Sequence, residues 1–180
     1  MRIIAGNYRG KKLISPQRGD VRPTADRARE AVFNILNSRL DSAWPEYHLL
    51  DLFAGTGAFA LEALSRGAAS VCLVDINPAD ARKNTALFPQ EQNKITLLSA
   101  SAVALPPASR QFNLLFSDAP YKRGLSEPAL ISAYEQGWLA PGALCVVELE
   151  KNEVFAVPEA FELIDRRVYG LAQFLFLRLS

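Results

Sequence analysis

The sequence predicts a single α/β domain: a mostly parallel sheet of seven strands with helices on both faces, closed by a C-terminal antiparallel hairpin. Three observations carry this prediction. Short apolar runs at about 48–53, 70–75, 94–98, 112–118 and 142–149 alternate with helical spacing at 58–66, 78–87 and 127–138, the mark of a parallel sheet with crossover helices. The terminal runs FELIDRRVYG and QFLFLRLS join tightly around Gly170, as antiparallel strands do. No repeat, low-complexity tract or linker divides the 180 residues, 49% of them hydrophobic, and a chain of this size buries about 70% of its unfolded surface without disulfides or metals.

Taken in chain order, the first element is a hairpin. RIIAG and KKLIS flank Gly6-Asn7-Tyr8-Arg9-Gly10, turn chemistry that places Tyr8, Arg9, Lys11 and Lys12 near the tip of an N-terminal β-hairpin extension. The net charge of +1 conceals an asymmetry, since residues 1–30 hold eight Lys or Arg against three acids and the remainder twelve against sixteen. We therefore expect residues 1–20 to form a basic arm that faces nucleic acid, although a basic terminus serving only solubility has the same composition. Thr24 then caps a helix whose Ala28, Ala31, Val32, Ile35 and Leu36 share one apolar face, with Asp26 in its first turn. Arg22, Arg27 and Arg29 stand near its beginning and suit a phosphate, a ligand carboxylate or solvent.

The stretch HLLDLFAGTGAFA, His48 to Ala60, reads as a strand, a ligand-binding turn and a helix. Gly55 and Gly57 allow positive φ and close approach of the backbone to a ligand. Gly55-x-Gly57-x-x-Ala60 also satisfies the short dinucleotide fingerprint. The next strand, SVCLVD, ends in Asp75, placed to accept both hydroxyls of a ribose, which points to an adenosine-containing ligand. Asp51, at the mouth of the glycine turn, would repel a pyrophosphate but not the ammonium and sulfonium of S-adenosylmethionine. Its alternative role is to neutralise nearby backbone amides. Asn77 as N-cap and Pro78 at the first helical position start the following helix just past Asp75 and fix it.

The strand FNLLFSD ends in DAPY, Asp118 to Tyr121. An exocyclic amine on a nucleobase needs such a set: Asp118 and a backbone carbonyl accept its two protons, and Tyr121 stacks on the ring. Held so, the amine's lone pair is aimed at the donor methyl, and orientation of that kind supplies about 7 to 11 kcal/mol in well-aligned systems. Read alone, the same four residues also make an ordinary strand-ending turn.

Together RIIAGNYRGKKL, VRPTADRAREAVFNIL, DLFAGTGAFALEALSRGA, VDIN and DAPY resemble the RsmD family of bacterial methyltransferases, which act on a guanine exocyclic amine in small-subunit (16S) ribosomal RNA. The resemblance covers roughly residues 1–150. It implies a Rossmann-like class I methyltransferase fold, S-adenosylmethionine as cofactor, and ribosomal RNA or an assembling ribosomal subunit as partner. The donor set is then Asp51, Phe53, Gly55, Gly57, Asp75, Ile76, Ser101 and Ala102, with Ile76 packed on adenine. The catalytic set is Asp118, Ala119, Pro120 and Tyr121, and the RNA-binding set Arg9, Lys11, Lys12, Arg22, Lys122 and Arg123. Two positions depart from the family pattern. Ala119 stands where relatives usually carry the first of two prolines, which frees Asp118 from the restriction a following proline imposes. Ser101 stands in a segment, LLSASAVAL, where relatives often place an acid against the adenine amine.

The remaining features narrow the classes. Cys72 and Cys145 fall inside apolar strand patterns and read as small buried hydrophobes, not as a bridge or metal pair. With no signal peptide and no apolar run near 18 residues, a cytoplasmic protein is expected, and nothing demands a partner chain, so a monomer is expected. His48, the single histidine, is assigned no chemistry. Other readings are an adenine-amine methyltransferase, since the same acceptors grip either base, a protein-glutamine methyltransferase, an NAD-dependent oxidoreductase on the glycine pattern alone, and an inactive RNA-binding module.

Overall fold

The computed structural model describes residues 1–16 and 23–180. Seven strands form one sheet: β1 (His48–Leu52), β2 (Ser70–Asp75), β3 (Ile95–Ser99), β4 (Phe112–Asp118), β5 (Leu139–Glu150), β6 (Phe161–Tyr169) and β7 (Ala172–Leu179). Their spatial order is β3-β2-β1-β4-β5-β7-β6. The five strands from β3 to β5 pair in parallel, while β7 runs antiparallel to both β5 and β6. This is the mixed sheet with a terminal hairpin that the alternating pattern predicts.

Burial follows the strand period of two. Leu49, Val71, Leu114 and Val146 face one core, which is covered by α1 (Pro23–Arg39), α2 (Ala58–Ser65) and α3 (Ala79–Thr85). Their neighbours Leu50, Cys72, Leu115 and Val147 face the second, covered by α4 (Ser126–Glu135) and residues 102–105 and 155–161. A sheet covered on both faces explains why the strands read as unbroken apolar runs. Cys72 and Cys145 are both free and buried in the second core, where burial pushes the Cys72 thiol up to about 11.

Most boundaries shift by one to three residues from expectation, and three of the shifts have a local reason. Pro23 opens α1, so Thr24 lies inside the first turn and not at the cap; proline's fixed φ suits a first helical position. At α3 the cap falls on Pro78, one residue later than Asn77, although Asn77 Oδ1 still accepts the Ala79 amide at 3.3 Å. Strand β5 begins at Leu139, ahead of the expected start at 142, and so includes Pro141 and Gly142. The register there shifts between Phe112 and Leu114, and Gly142 takes a φ of 73°. Such an irregularity is where a strand tolerates proline.

The N-terminal hairpin closes through one bridge, Arg2 to Lys12, and lies flat against the body. Ile3 and Leu13 are buried in the first core. The amides of Ile4 and Ala5 donate to the carboxylate of buried Glu62 at 2.7 and 3.0 Å, and those of Asn7 and Tyr8 to the Ser65 carbonyl and hydroxyl at 2.7 and 2.9 Å. At Gly6, φ is 85° and an added Cβ would sit 2.0 Å from the Ser65 carbonyl oxygen, so no other residue fits.

Candidate active site

Strands β1, β2, β4 and β5 end along one edge of the sheet. The helix after β1 packs on one face and the helix after β4 on the other, which opens a crevice at the carboxyl ends of these two strands. Two clefts meet there, with Phe53 in the wall of both. The first, of about 260 Å³, is lined by Met1, Arg29, Asp51, Gly55, Thr56, Phe59, Phe116, Asp118, Glu148 and Phe174 among others. The second, of about 170 Å³, is lined by Phe53, Asp75, Ile76, Ser101, Ala102, Pro120, Arg123 and Leu125 among others.

The glycine turn shapes the border between them. Phe53 has a φ of 58°, Gly55 of 55° and Gly57 of 78°. A bulky residue in the left-handed region is strained, and such strain is held only by surrounding contacts. Here the Ala54 amide donates to the Val74 carbonyl at 3.0 Å and the Gly55 amide to Asp75 Oδ2 at 2.9 Å. The two glycines serve different needs. A Cβ on Gly57 would press to 2.7 Å from Leu73 Cδ2, whereas one on Gly55 would meet only the Phe53 carbonyl oxygen at 3.9 Å. Gly57 permits close packing of turn on sheet, and Gly55 leaves space open.

Asp75 is half-buried and held from both sides, since Oδ1 accepts the Asn77 amide at 2.9 Å while Oδ2 accepts Gly55. A carboxylate has about four acceptor positions, so further positions remain for ribose hydroxyls. Beside it Ile76 is 76% exposed, an apolar surface without protein cover. Ser101 and Ala102 form the facing wall, and Arg123, expected at RNA, lines this same cleft.

At the end of β4, Asp118 pairs in register with Glu148 of β5. Ala119 is buried and Pro120 exposed. The Tyr121 hydroxyl donates to Glu148 Oε1 at 2.8 Å, and Lys122, with a φ of 60°, makes an ion pair with Glu150 at 3.3 Å. These two contacts tie the loop after β4 to β5, one strand beyond the acid itself.

Three carboxyls therefore converge on the first cleft. Asp51 is 1% exposed and, among the described residues, accepts a long bond, 3.3 Å, from the Ala60 amide in the first turn of α2. Burial pushes its pKa up to about 8. Asp118 opens to the cleft along part of its surface, but the protein around its carboxyl, with Glu148 and Asp51 nearby, raises it well above the usual carboxylate range. Glu148 is raised as well, by burial, against the hydrogen bond from Tyr121. Acids crowded in this way resist ionising together; a cation entering the cleft relieves them. A diphosphate would oppose the ionisation of these acids, whereas the ammonium and sulfonium of S-adenosylmethionine would favour it.

The expected RNA-binding residues are placed apart from one another. Arg9 and Lys12 are exposed on the hairpin. Lys11 is half-buried: its ammonium donates to the Leu87 carbonyl and lies 4.5 Å from the centre of the Phe88 ring. The Lys122 side chain is 74% exposed, and Arg22 lies outside the described residues.

The model of the family described as "Conserved hypothetical protein 95" matches residues 1–178. The chain belongs to that family. The ribosomal RNA small subunit methyltransferase D of Escherichia coli (strain K12) is 37% identical over 174 residues, spanning 94% of this chain and 85% of that protein. The protein of the same name from Haemophilus influenzae is 32% identical over 180 residues, spanning 97% of this chain and 91% of that one. Among solved structures, the putative methyltransferase yhhF from Escherichia coli matches with a TM-score of 0.83 and 32% identity, over 100% of this chain and 98% of that one. The fold is thus the Rossmann-like class I methyltransferase fold, and the family is one of methyltransferase enzymes.

Sequence reasoning missed Glu148, which lines the cleft with Asp118, and Glu62 and Asn84, which fix the segments around it. The signal for Glu148 was present. Like Asp51, Asp75 and Asp118, it is an acid at the carboxyl end of an apolar strand, in ALCVVELE. Glu62 and Asn84 sit inside helices, where the sequence holds no sign that their partners come from a distant hairpin.

Proposed function

We propose that this chain is an S-adenosylmethionine-dependent methyltransferase that methylates the exocyclic amine of a guanine in small-subunit ribosomal RNA. The observation that carries the reading is the meeting of Asp118, Tyr121 and the acid-lined cleft at one edge of the sheet. The names of the relatives support the ribosomal RNA substrate, and that substrate in turn supports the cytoplasmic location expected from the sequence.

S-adenosylmethionine, when bound, supplies an electrophilic methyl group. Asp75 holds its ribose, Ile76 covers its adenine, and Asp51 faces its cationic end. Asp118 and a backbone carbonyl of the Ala119-Pro120 turn accept the two protons of the target amine, which frees the nitrogen lone pair for in-line attack. Tyr121 stacks on the base, and Glu148 keeps its ring in place through the hydroxyl. After transfer the amine loses a proton to water, so no strong general base is required. Arg9, Lys12 and Lys122, all exposed, neutralise phosphates of the RNA.

Small-subunit ribosomal RNA from cells lacking this protein, incubated with the purified chain and labelled S-adenosylmethionine, tests the reading. Label in N2-methylguanosine at one mapped nucleotide is the expected result. Label in methyladenosine, or none, would refute it.

A further inference from the structure

We propose that Glu148 is a specificity-determining residue that accepts the N1–H of the target guanine while Asp118 holds the adjacent exocyclic amine. The inference rests on the proposed function and deepens it, because it supplies the physical reason for guanine over adenine.

Register carries the argument. Asp118 and Glu148 are direct partners on neighbouring parallel strands, and paired residues point to the same face about 4.8 Å apart. Both line the first cleft. Two acceptors side by side match one edge of guanine, on which N1–H and the amine are neighbouring donors. On adenine the atom beside the amine is a bare N1 acceptor, whose lone pair would repel Glu148 in the ionised form that guanine's two donors favour. Tyr121 adds the third constraint. Its hydroxyl donates to Glu148 Oε1 at 2.8 Å, so the ring assigned to stack on the base and the acceptor assigned to read its edge are held as one unit. A carboxylate engaged by one hydroxyl keeps further acceptor positions for the base. Asp118 alone does not discriminate, since both bases present an amine; the second carboxylate does.

The test uses the full chain, S-adenosylmethionine and two ligated transcripts of small-subunit ribosomal RNA. They differ only at the mapped target nucleotide, which is guanine in one and 2-aminopurine in the other. The analogue keeps the 2-amino group and replaces N1–H with a bare acceptor. In single turnover the parental enzyme should prefer guanine by roughly 10- to 100-fold, the worth of one well-placed hydrogen-bonded pair. Glu148→Gln, whose amide donates to the bare N1, should bring that ratio close to one or below. A merely structural role would slow both substrates alike and leave the ratio unchanged, which overturns the inference. Should the variant turn over neither RNA, the ratio of the two dissociation constants with S-adenosylhomocysteine present reads the same discrimination. A parental enzyme that leaves guanine unmethylated refutes the proposed function itself, a result separate from an unchanged ratio in the variant.

Discussion

The glycine turn at residues 53–57 and the N-terminal hairpin at residues 1–13 are both short glycine-bearing segments packed beside α2, and they use their backbone in opposite ways. In the hairpin, consecutive amides are taken up by Glu62 and Ser65, and Gly6 has no space for a side chain. In the turn, Gly55 leaves space open and its one amide is directed at Asp75. The hairpin's glycine locks two parts of the protein together, while the turn's glycine leaves a cleft for something else. Buried Asn84 joins the regions: its amide donates to the Thr56 carbonyl of the turn and to the Ile14 carbonyl after the hairpin, at 2.9 and 3.0 Å.

The contrast breaks first at Glu62. Its fully buried carboxylate holds two hairpin amides and the Arg66 guanidinium, and removing one partner of such a buried set costs about 3 to 5 kcal/mol. Glu62→Ala should lower the melting temperature by roughly 10 °C on that figure. A fall of under about 3 °C, on the same scale, would mean that the hairpin is not locked. Asp75→Ala is the counterpart in the turn, where the loss should appear in ligand binding. S-adenosylhomocysteine affinity should fall at least tenfold, since a charge-assisted bond contributes about 1.5 to 3 kcal/mol. Thermal stability should fall by only several degrees, on the order of two hydrogen bonds lost at the Gly55 and Asn77 amides. Unchanged affinity in calorimetry would remove Asp75 from the ribose.

The acids of the cleft give donor binding a pH signature. Asp51 holds its proton up to about 8, and a bound cation favours the ionised form, so its pKa falls in the complex. Proton release then accompanies binding, and donor affinity should rise with pH between the bound-state pKa and about 8, by at most tenfold per unit for one proton, then level off. Asp51→Asn should weaken binding and flatten the slope. Affinity that stays constant between about pH 6 and 8 would show that Asp51 does not face the cation.

The smallest expected effect separates the basic residues of the hairpin itself. Arg9 and Lys12 are exposed, but Lys11 is committed to the Leu87 carbonyl and the Phe88 ring. Replacing Arg9 and Lys12 with Gln should reduce the slope of log RNA affinity against log salt by about 1.4 to 1.8 units. Lys11→Gln should leave the slope unchanged and lower stability instead. An unaltered slope in the double variant would move the RNA surface to Lys122 and its neighbours.

The parallel core and its closing hairpin were legible because sheet burial writes itself into the sequence as apolar runs. The strand-ending acids Asp51, Asp75 and Asp118 were legible for the same reason, as polar residues at the point where each run stops. The start of β5 was not, since Pro141-Gly142 has the local chemistry of a turn and becomes strand only through its neighbours. Lys11 was read by its charge, and the carbonyl that engages it comes from a segment distant in sequence. Glu148 was visible as a strand-ending acid, but its pairing with Asp118 depends on register, and no local pattern contains a register.

On the proposed function, the end of β4 holds the target base while the glycine turn and β2 hold the donor. Asp118→Ala, assayed for single-turnover methyl transfer to small-subunit ribosomal RNA alongside S-adenosylhomocysteine binding, divides those roles in one variant. Transfer should fall at least about 100-fold, the usual scale for a misplaced reacting group, with the dissociation constant within about twofold of parental. Transfer at the parental rate, or a loss accounted for by donor binding alone, would contradict it.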